Sequence, residues 1–168
     1  MNIYEQWTYD ALGKAGFAVF LPYKDRGVDC IVTRRNFTGL PKRVQIKGCR
    51  GYGSYGDYAW YSLNAAKVKS STGITDFWIF VWPRTAARGQ EPQFLIVPIM
   101  ELVGRLGSYA AESGGRYFLD LAFKEPEHPG RIVDDRRGKT PWGPGDPWPI
   151  PPGSARDYTP YYNNWSSL

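Results

Sequence analysis

The sequence has only two cysteines and one histidine, and it lacks any long apolar run. Cys30 and Cys49 are too few for a disulfide framework. Together with His128 they leave a Cys/His zinc site short of ligands. A Ser-His-Asp or Cys-His catalyst would have to use His128, which lies in Glu-Pro-Glu-His-Pro-Gly, a string that reads as an exposed turn. Any chemistry is therefore left to carboxylates, lysine and a metal. No apolar stretch comes near the ~20 residues needed to span a bilayer, so no transmembrane helix is expected. The first residues, Met-Asn-Ile-Tyr-Glu-Gln-Trp, lack a basic start followed by an apolar segment. No secretory leader is expected from them, and the reducing cytoplasm is the expected compartment.

What is present is enough for a folded domain. Of 168 residues, 42% are hydrophobic and 16% aromatic, which argues against wholesale disorder. The length suits one domain and little more. The net charge of +5 is unevenly spread. Between Lys24 and Arg50 there are eight basic residues against Asp25 and Asp29, a balance of +6, so the rest of the chain sums to −1. A concentrated basic segment on a near-neutral body suits a polyanionic partner, although a solvated basic loop has the same composition.

Periodicity gives a coarse order of elements. Residues 3–16 predict a helix with Tyr4, Thr8, Ala11, Leu12 and Ala15 on one stripe, closed by Gly16. Glu5 lies on the edge of the same stripe, where an unpaired carboxylate is unfavourable; its alternative role is to complement the helix N-terminus. Residues 17–21, 28–33, 43–47 and 58–63 predict strands. Residues 48–56 predict a glycine-rich loop. Residues 76–82 predict a strand buried on both faces, with 94–97 as its neighbour and a short helix over 99–106. Residues 117–123 fit either a strand or a helix. After about Asp134 the composition shifts: seven of the 14 prolines and three of the seven tryptophans lie beyond it. This predicts a domain over 1–134 and an extended Pro/Trp-rich arm over 135–168, docked on the domain or on a neighbouring subunit.

The chemistry-bearing residues are Glu5, the string Gly27-Val28-Asp29, and Val44-Gln45-Ile46-Lys47-Gly48. Side chains alternate along a strand, so Gln45 and Lys47 share one face, while Val44 and Ile46 take the other and enter the core. If the second and third strands form a hairpin, Asp29 lies beside Gln45 and Lys47, and the first helix brings Glu5 to the same place. Two carboxylates and an amide oxygen, with the carbonyl of Ile46, are hard ligands of the kind Mg²⁺ or Mn²⁺ prefers. A metal there would polarise a phosphate and activate water. Lys47 would orient that water or stabilise the charge of the transition state.

In helix-strand-strand-strand order, Glu5, Asp29, Gln45 and Lys47 resemble the PD-(D/E)XK nuclease superfamily. The form Val-Gln-Ile-Lys after Gly-Val-Asp resembles its branch with Gln in the acidic position, which is homing-endonuclease-like and Holliday-junction-resolvase-like. The resemblance spans residues 1–105, more loosely in the later strands. It implies an α/β fold with a restriction-endonuclease-like core, a central mixed sheet flanked by helices. It implies Asp29 as main metal ligand, Gln45 as second ligand, Lys47 as catalytic lysine and Glu5 as auxiliary ligand or water holder. The implied activity is metal-dependent endonucleolytic cleavage with Mg²⁺ or Mn²⁺, on double-stranded DNA, by a possible homodimer. The alternatives are a non-catalytic nucleic-acid-binding module with a decayed nuclease site, and an interaction protein that works through its tail.

The flanking residues suit a nucleic acid. Arg34, Arg35, Lys42, Arg43 and Arg50 are candidate phosphate contacts, with Lys67 and Lys69 further along. Tyr52 and Tyr55 either stack on bases or pack on the sheet edge, and the same choice applies to Tyr58.

Overall fold

The structure is a computed structural model that describes residues 1–24, 26–53, 57–86, 89–110, 112–123, 130–135, 150 and 152–168. Tyr55, His128, Trp142, Trp148 and residues 136–149 and 151 of the predicted arm lie outside these residues. The fold is mixed α/β, as the sequence predicts. A five-stranded mixed sheet has the order β1-β2-β3-β6-β7. It is built from β1 (Phe17–Phe20), β2 (Cys30–Arg34), β3 (Lys42–Gly48), β6 (Phe77–Ala86) and β7 (Gly89–Pro98). All neighbours in it are antiparallel except β3 and β6, which run parallel.

The predicted central sheet is joined by a second one. A four-stranded antiparallel sheet contains β4 (Gly51–Tyr52), β5 (Tyr58–Asn64), β8 (Arg116–Phe123) and β9 (Ile132–Asp134), in the order β4-β5-β8-β9. The segment 117–123 is thus a strand. Its alternation settles the matter: Tyr117, Leu119 and Leu121 are buried, while Arg116 is exposed and Phe118 and Asp120 are half-buried.

Helix α1 (Ile3–Lys14) starts from a capping box, in which the Asn2 side chain accepts from the Glu5 backbone and the Glu5 carboxylate accepts from the Asn2 backbone N–H. Helix α2 (Ala65–Ser70) is capped by Asn64, whose side chain accepts from Lys67 N at 2.8 Å. It falls in a segment that carries no predicted element. Helix α3 (Ile99–Tyr109) follows β7 directly and buries Ile99, Leu102 and Leu106. No helix among the described residues is long and apolar enough to cross a membrane.

Strand β6 divides the interior. Trp78, Phe80 and Trp82 face the second sheet and α3, in a core with Tyr61, Leu119 and Leu102. Phe77, Ile79 and Val81 face the other way, in a core with Leu12 of α1, Val44 and Ile46. Six consecutive side chains, Phe77–Trp82, are buried, as expected for a strand covered on both sides. Where α1 crosses β3 the helix comes very close. A Cβ at Gly48 would lie 2.1 Å from Tyr4 Cγ, so only glycine fits beneath that ring.

The C-terminal residues pack on this body. Trp165 meets Phe94 edge-on at 5.1 Å, and Tyr158 is fully buried. Arg105 of α3 donates to the carbonyls of Ser154, Ala155 and Asp157 and to Tyr161 Oη. Asp157 also takes hydrogen bonds from Gly153 N at 3.0 Å and Thr159 N at 3.1 Å. Burial pushes its carboxyl up, but the Thr159 side chain, these backbone bonds and the nearby Arg131 outweigh it and hold the pKa below the usual range.

Candidate active site

The β2–β3 hairpin forms as the alternation predicts, with Cys30 opposite Val44. Asp29, one residue before β2, donates its N–H to Val44 O at 2.8 Å. Its Oδ2 accepts from Ile46 N at 2.6 Å and from the side-chain amide of Gln45. The turn that delivers Asp29 depends on Gly27, whose φ of +90° belongs to the left-handed region that favours glycine. Gln45 is 3% exposed. Its amide nitrogen lies 3.5 Å from Ile46 O, and its Oε1 is buried without a hydrogen-bond partner.

The polar pair on β3 does not open to solvent as a bare strand face would. Gln45 is paired in register with Trp78, and Lys47 with Phe80. The Lys47 ammonium lies 5.5 Å from the centroid of the Trp78 ring. It therefore leans over the aromatic neighbour of Gln45, a favourable cation–π contact.

Glu5 and Asp29 line one cleft of about 290 Å³ with Met1, Tyr9, Leu21, Pro22 and Val28. Glu5 also caps its own helix, its Oε1 accepting from Asn2 Nδ2 at 2.8 Å and its Oε2 from Asn2 N at 3.0 Å. Glu5 thus serves the helix N-terminus while lining the cleft. The electrostatic convergence registers on Cys30. Burial pushes the Cys30 thiol up to about 12, and the negative charges of Asp29 and Glu5 push the same way. The thiol stays protonated and packs as a small apolar group. Burial likewise raises the Tyr9 hydroxyl, with Cys30, Glu5 and Asp29 adding to the effect. Tyr9 Oη donates to Asp29 O at 3.3 Å.

Among the described residues there is no group of three or more His, Cys, Asp or Glu side chains poised to hold a metal. Asp29 is the common member: it accepts from the Gln45 amide and from Ile46 N, and it shares its cleft with Glu5.

The predicted nucleic-acid contacts separate. Arg34 and Arg35 are exposed at the far end of β2, with the Arg34 guanidinium 4.8 Å from the Phe17 ring. Arg34 is five residues beyond Asp29 along an extended chain, or ~17 Å. Lys42 is half-buried at the start of β3. Arg43 is held structurally: its guanidinium donates to both carboxylate oxygens of Asp76, at 3.0 and 3.2 Å, and to Gly73 O at 3.1 Å. Arg50 lies 4.8 Å over the Tyr52 ring. Lys67 and Lys69 are exposed on α2 beside the second sheet, where Lys69 pairs with Glu112 at 2.7 Å. Sequence reasoning missed Tyr9 and Asn2. The signals were present: Tyr9 stands four residues after Glu5 on the same helical face, and Asn-Ile-Tyr-Glu is a capping-box spacing.

No protein-family model and no curated protein sequence matches the chain. Two solved structures resemble it. The Holliday junction resolvase Hjc of the archaeal hyperthermophile Archaeoglobus fulgidus is 15% identical with a TM-score of 0.44, over 70% of this chain and 80% of that one. A bacterial homing endonuclease is 15% identical with a TM-score of 0.45, over 76% of this chain and 78% of that one.

Proposed function

We propose that this chain is a metal-dependent endonuclease that hydrolyses phosphodiester bonds in DNA, working from the cleft between α1 and the β2–β3 hairpin. The observation that carries this reading is the Gln45 carbonyl oxygen. It is buried and unpartnered, on a side chain already in contact with Asp29. A buried polar atom left unsatisfied costs about 1–3 kcal/mol. As placed, the amide nitrogen faces Asp29; rotation of the amide by half a turn would aim the oxygen at the same point as the carboxylate, where a divalent cation would satisfy it. Asp29, Gln45, the Ile46 carbonyl and Glu5 would hold the ion, leaving room for substrate phosphate and water, which suits Mg²⁺ or Mn²⁺. When bound, the metal supplies Lewis-acid polarisation of the phosphate and a more acidic water.

The remaining work falls to the chain. The Lys47 ammonium orients the attacking water or balances the charge that develops on the phosphate oxygens. Arg34, Arg35 and Lys42 grip the backbone away from the scissile bond. A homodimer would place two such clefts on one duplex. The neutral Gln45 in an acidic position favours a second reading, a nucleic-acid-binding module that no longer cuts.

The test is cleavage of supercoiled plasmid, linear duplex, single strand, four-way junction and RNA in Mg²⁺, Mn²⁺ or EDTA. Asp29→Ala and Lys47→Ala are run beside the wild type, and thermal melting with and without Mn²⁺ is recorded for each. Metal-dependent cutting that drops at least 100-fold in both variants is expected, with a Mn²⁺-induced rise in melting temperature lost in Asp29→Ala. Binding without cutting under every metal condition selects the non-catalytic module.

A further inference from the structure

The outer face of the second sheet carries an aromatic surface that none of the chemistry above uses. Alternation along β5 turns Tyr58 and Trp60 outward, and they are 39% and 47% exposed. Tyr52 of β4 pairs with Tyr58 across the ladder, and Asp120 of β8 pairs with Trp60. These four side chains line a depression of about 560 Å³. Phe118 supports the Trp60 ring in a stacked arrangement, with centroids 5.9 Å apart and planes 15° from parallel. The Arg50 guanidinium covers the Tyr52 ring at 4.8 Å. A large indole in water, held flat by a second ring, is a surface built for a planar ligand.

The surrounding charges identify the ligand. Asp120 lines the depression itself, and its charge, with those of Asp135 and Asp57, reinforces the upward shift of the Tyr58 hydroxyl that burial starts; Asp57 is also paired with Arg84 at 3.6 Å. A carboxylate such as that of Asp120 repels phosphate but can accept hydrogen bonds from the ring and exocyclic N–H groups of a base. Arg50, at the rim, belongs to the basic +6 segment and can hold the phosphate of the same nucleotide. The position along the chain fits as well. Tyr52 follows Lys47 by five residues, a separation of at most about 18 Å. That is roughly five stacked base steps at 3.4 Å each. Bases inside an intact duplex offer only their edges, so stacking on Trp60 requires a base that is unpaired or flipped out.

We infer that the Tyr52–Tyr58–Trp60–Asp120 surface is a stacking site for one unpaired nucleobase close to the cleavage point. The substrate is then a nucleic acid with single-stranded character there, such as a branch, a flap or a single strand. The location relative to cleavage rests on the nuclease reading above; the base-binding site itself does not.

The test is fluorescence anisotropy in EDTA, so that nothing is cut. The probes are a fluorescein-labelled 12-nucleotide single strand and the blunt duplex of the same sequence. Trp60→Ala is expected to weaken binding of the single strand at least tenfold and of the duplex less than twofold, with Trp60→Phe retaining most of the affinity. Because Trp60 is half in solvent, its melting temperature should stay near that of the wild type. Unchanged single-strand affinity in Trp60→Ala overturns the inference, as does an equal loss on both probes. Trp60-dependent binding of a neutral oligosaccharide, with single-strand binding unaffected, also overturns it and assigns the surface to sugars. If Trp60-dependent binding is found in a protein that cuts nothing in any metal, the nuclease reading falls and the stacking site stands. Cutting that ignores Trp60, with single-strand binding that also ignores it, does the reverse.

Discussion

Gln45 is the residue on which the proposed chemistry turns, because an amide holds a divalent cation less tightly than a carboxylate. Gln45→Glu would place a third carboxylate beside Asp29 and Glu5. Without metal that variant brings a second negative oxygen against the Asp29 carboxylate in a site where Gln45 now donates a hydrogen bond. It should therefore melt lower than the wild type in EDTA. With Mn²⁺ the order should reverse, since the stabilisation from binding grows as the logarithm of metal concentration over Kd. Melting curves across a Mn²⁺ titration read both effects, and the absence of a larger Mn²⁺ shift in Gln45→Glu would count against a metal at this position. The residues of this site were largely legible in the sequence, because strand alternation puts Gln45 and Lys47 on one face whatever the rest of the fold does. What alternation does not give is what covers that face. Trp78 lies 31 positions after Lys47, and its packing under the ammonium is a product of the parallel β3–β6 pairing. Arg43 shows the opposite failure. By composition it is one more cation in a basic run, and only the contact with Asp76, 33 residues away, removes it from the pool of phosphate contacts.

At the scale of elements, that same pair closes the parallel junction. Asp76 stands at the start of β6 and accepts from the Arg43 backbone N–H at 2.7 Å as well as from its guanidinium, while its own carbonyl accepts from Ile99 N at the start of α3 at 3.0 Å. One residue thus ties β3, β6 and α3 together. The hydrogen bond from the Arg43 side chain holds the Asp76 carboxyl below the usual carboxylate range, against the opposing effect of burial. A group whose pKa is lower in the folded state adds stability above its unfolded pKa, and that contribution fades as pH falls through the folded value. The loss should therefore set in below about pH 4. Asp76→Asn should melt lower than the wild type at pH 7, and the gap should narrow as pH is taken from 5 to 3. A gap that stays constant across that range would show that the ionised form of Asp76 adds nothing. The elements themselves were legible where they are local: α1, the β2–β3 hairpin and α3 follow from period, and so do the apolar parts of β6 and β7, which the structure extends to Phe77–Ala86 and Gly89–Pro98. The second sheet was not, because β5 and β8 are separated by more than 50 residues and each strand's alternation names a buried face without naming the partner. Helix α2 was missed for another reason: six residues are too few for a helical stripe to emerge, and only the Asn64 cap marks it.

The basic residues of the whole molecule are concentrated between Lys24 and Arg50, and under the proposed function the salt dependence of nucleic-acid binding would count the contacts they make. Of the basic residues between Lys24 and Arg50, Arg43 is engaged with Asp76, Lys47 lies over Trp78 in the candidate site, and Arg50 covers Tyr52. Arg34 and Arg35 stand exposed at the tip of the β2–β3 hairpin. Each phosphate neutralised releases condensed counterions, so the slope of log affinity against log salt concentration changes by about 0.9 per contact on duplex DNA. Arg34→Ala and Arg35→Ala should each make that slope shallower by about one. Arg43→Ala should leave the slope unchanged and lower the melting temperature instead, because its guanidinium is already tied to Asp76 and Gly73. Binding of a short labelled duplex, titrated from 50 to 300 mM salt (roughly the range over which such slopes are read), separates the two classes. If Arg43→Ala flattened the slope as much as Arg34→Ala, the Arg43–Asp76 pair would open on binding, and the basic face would extend from the hairpin tip to the parallel junction beside the cleft.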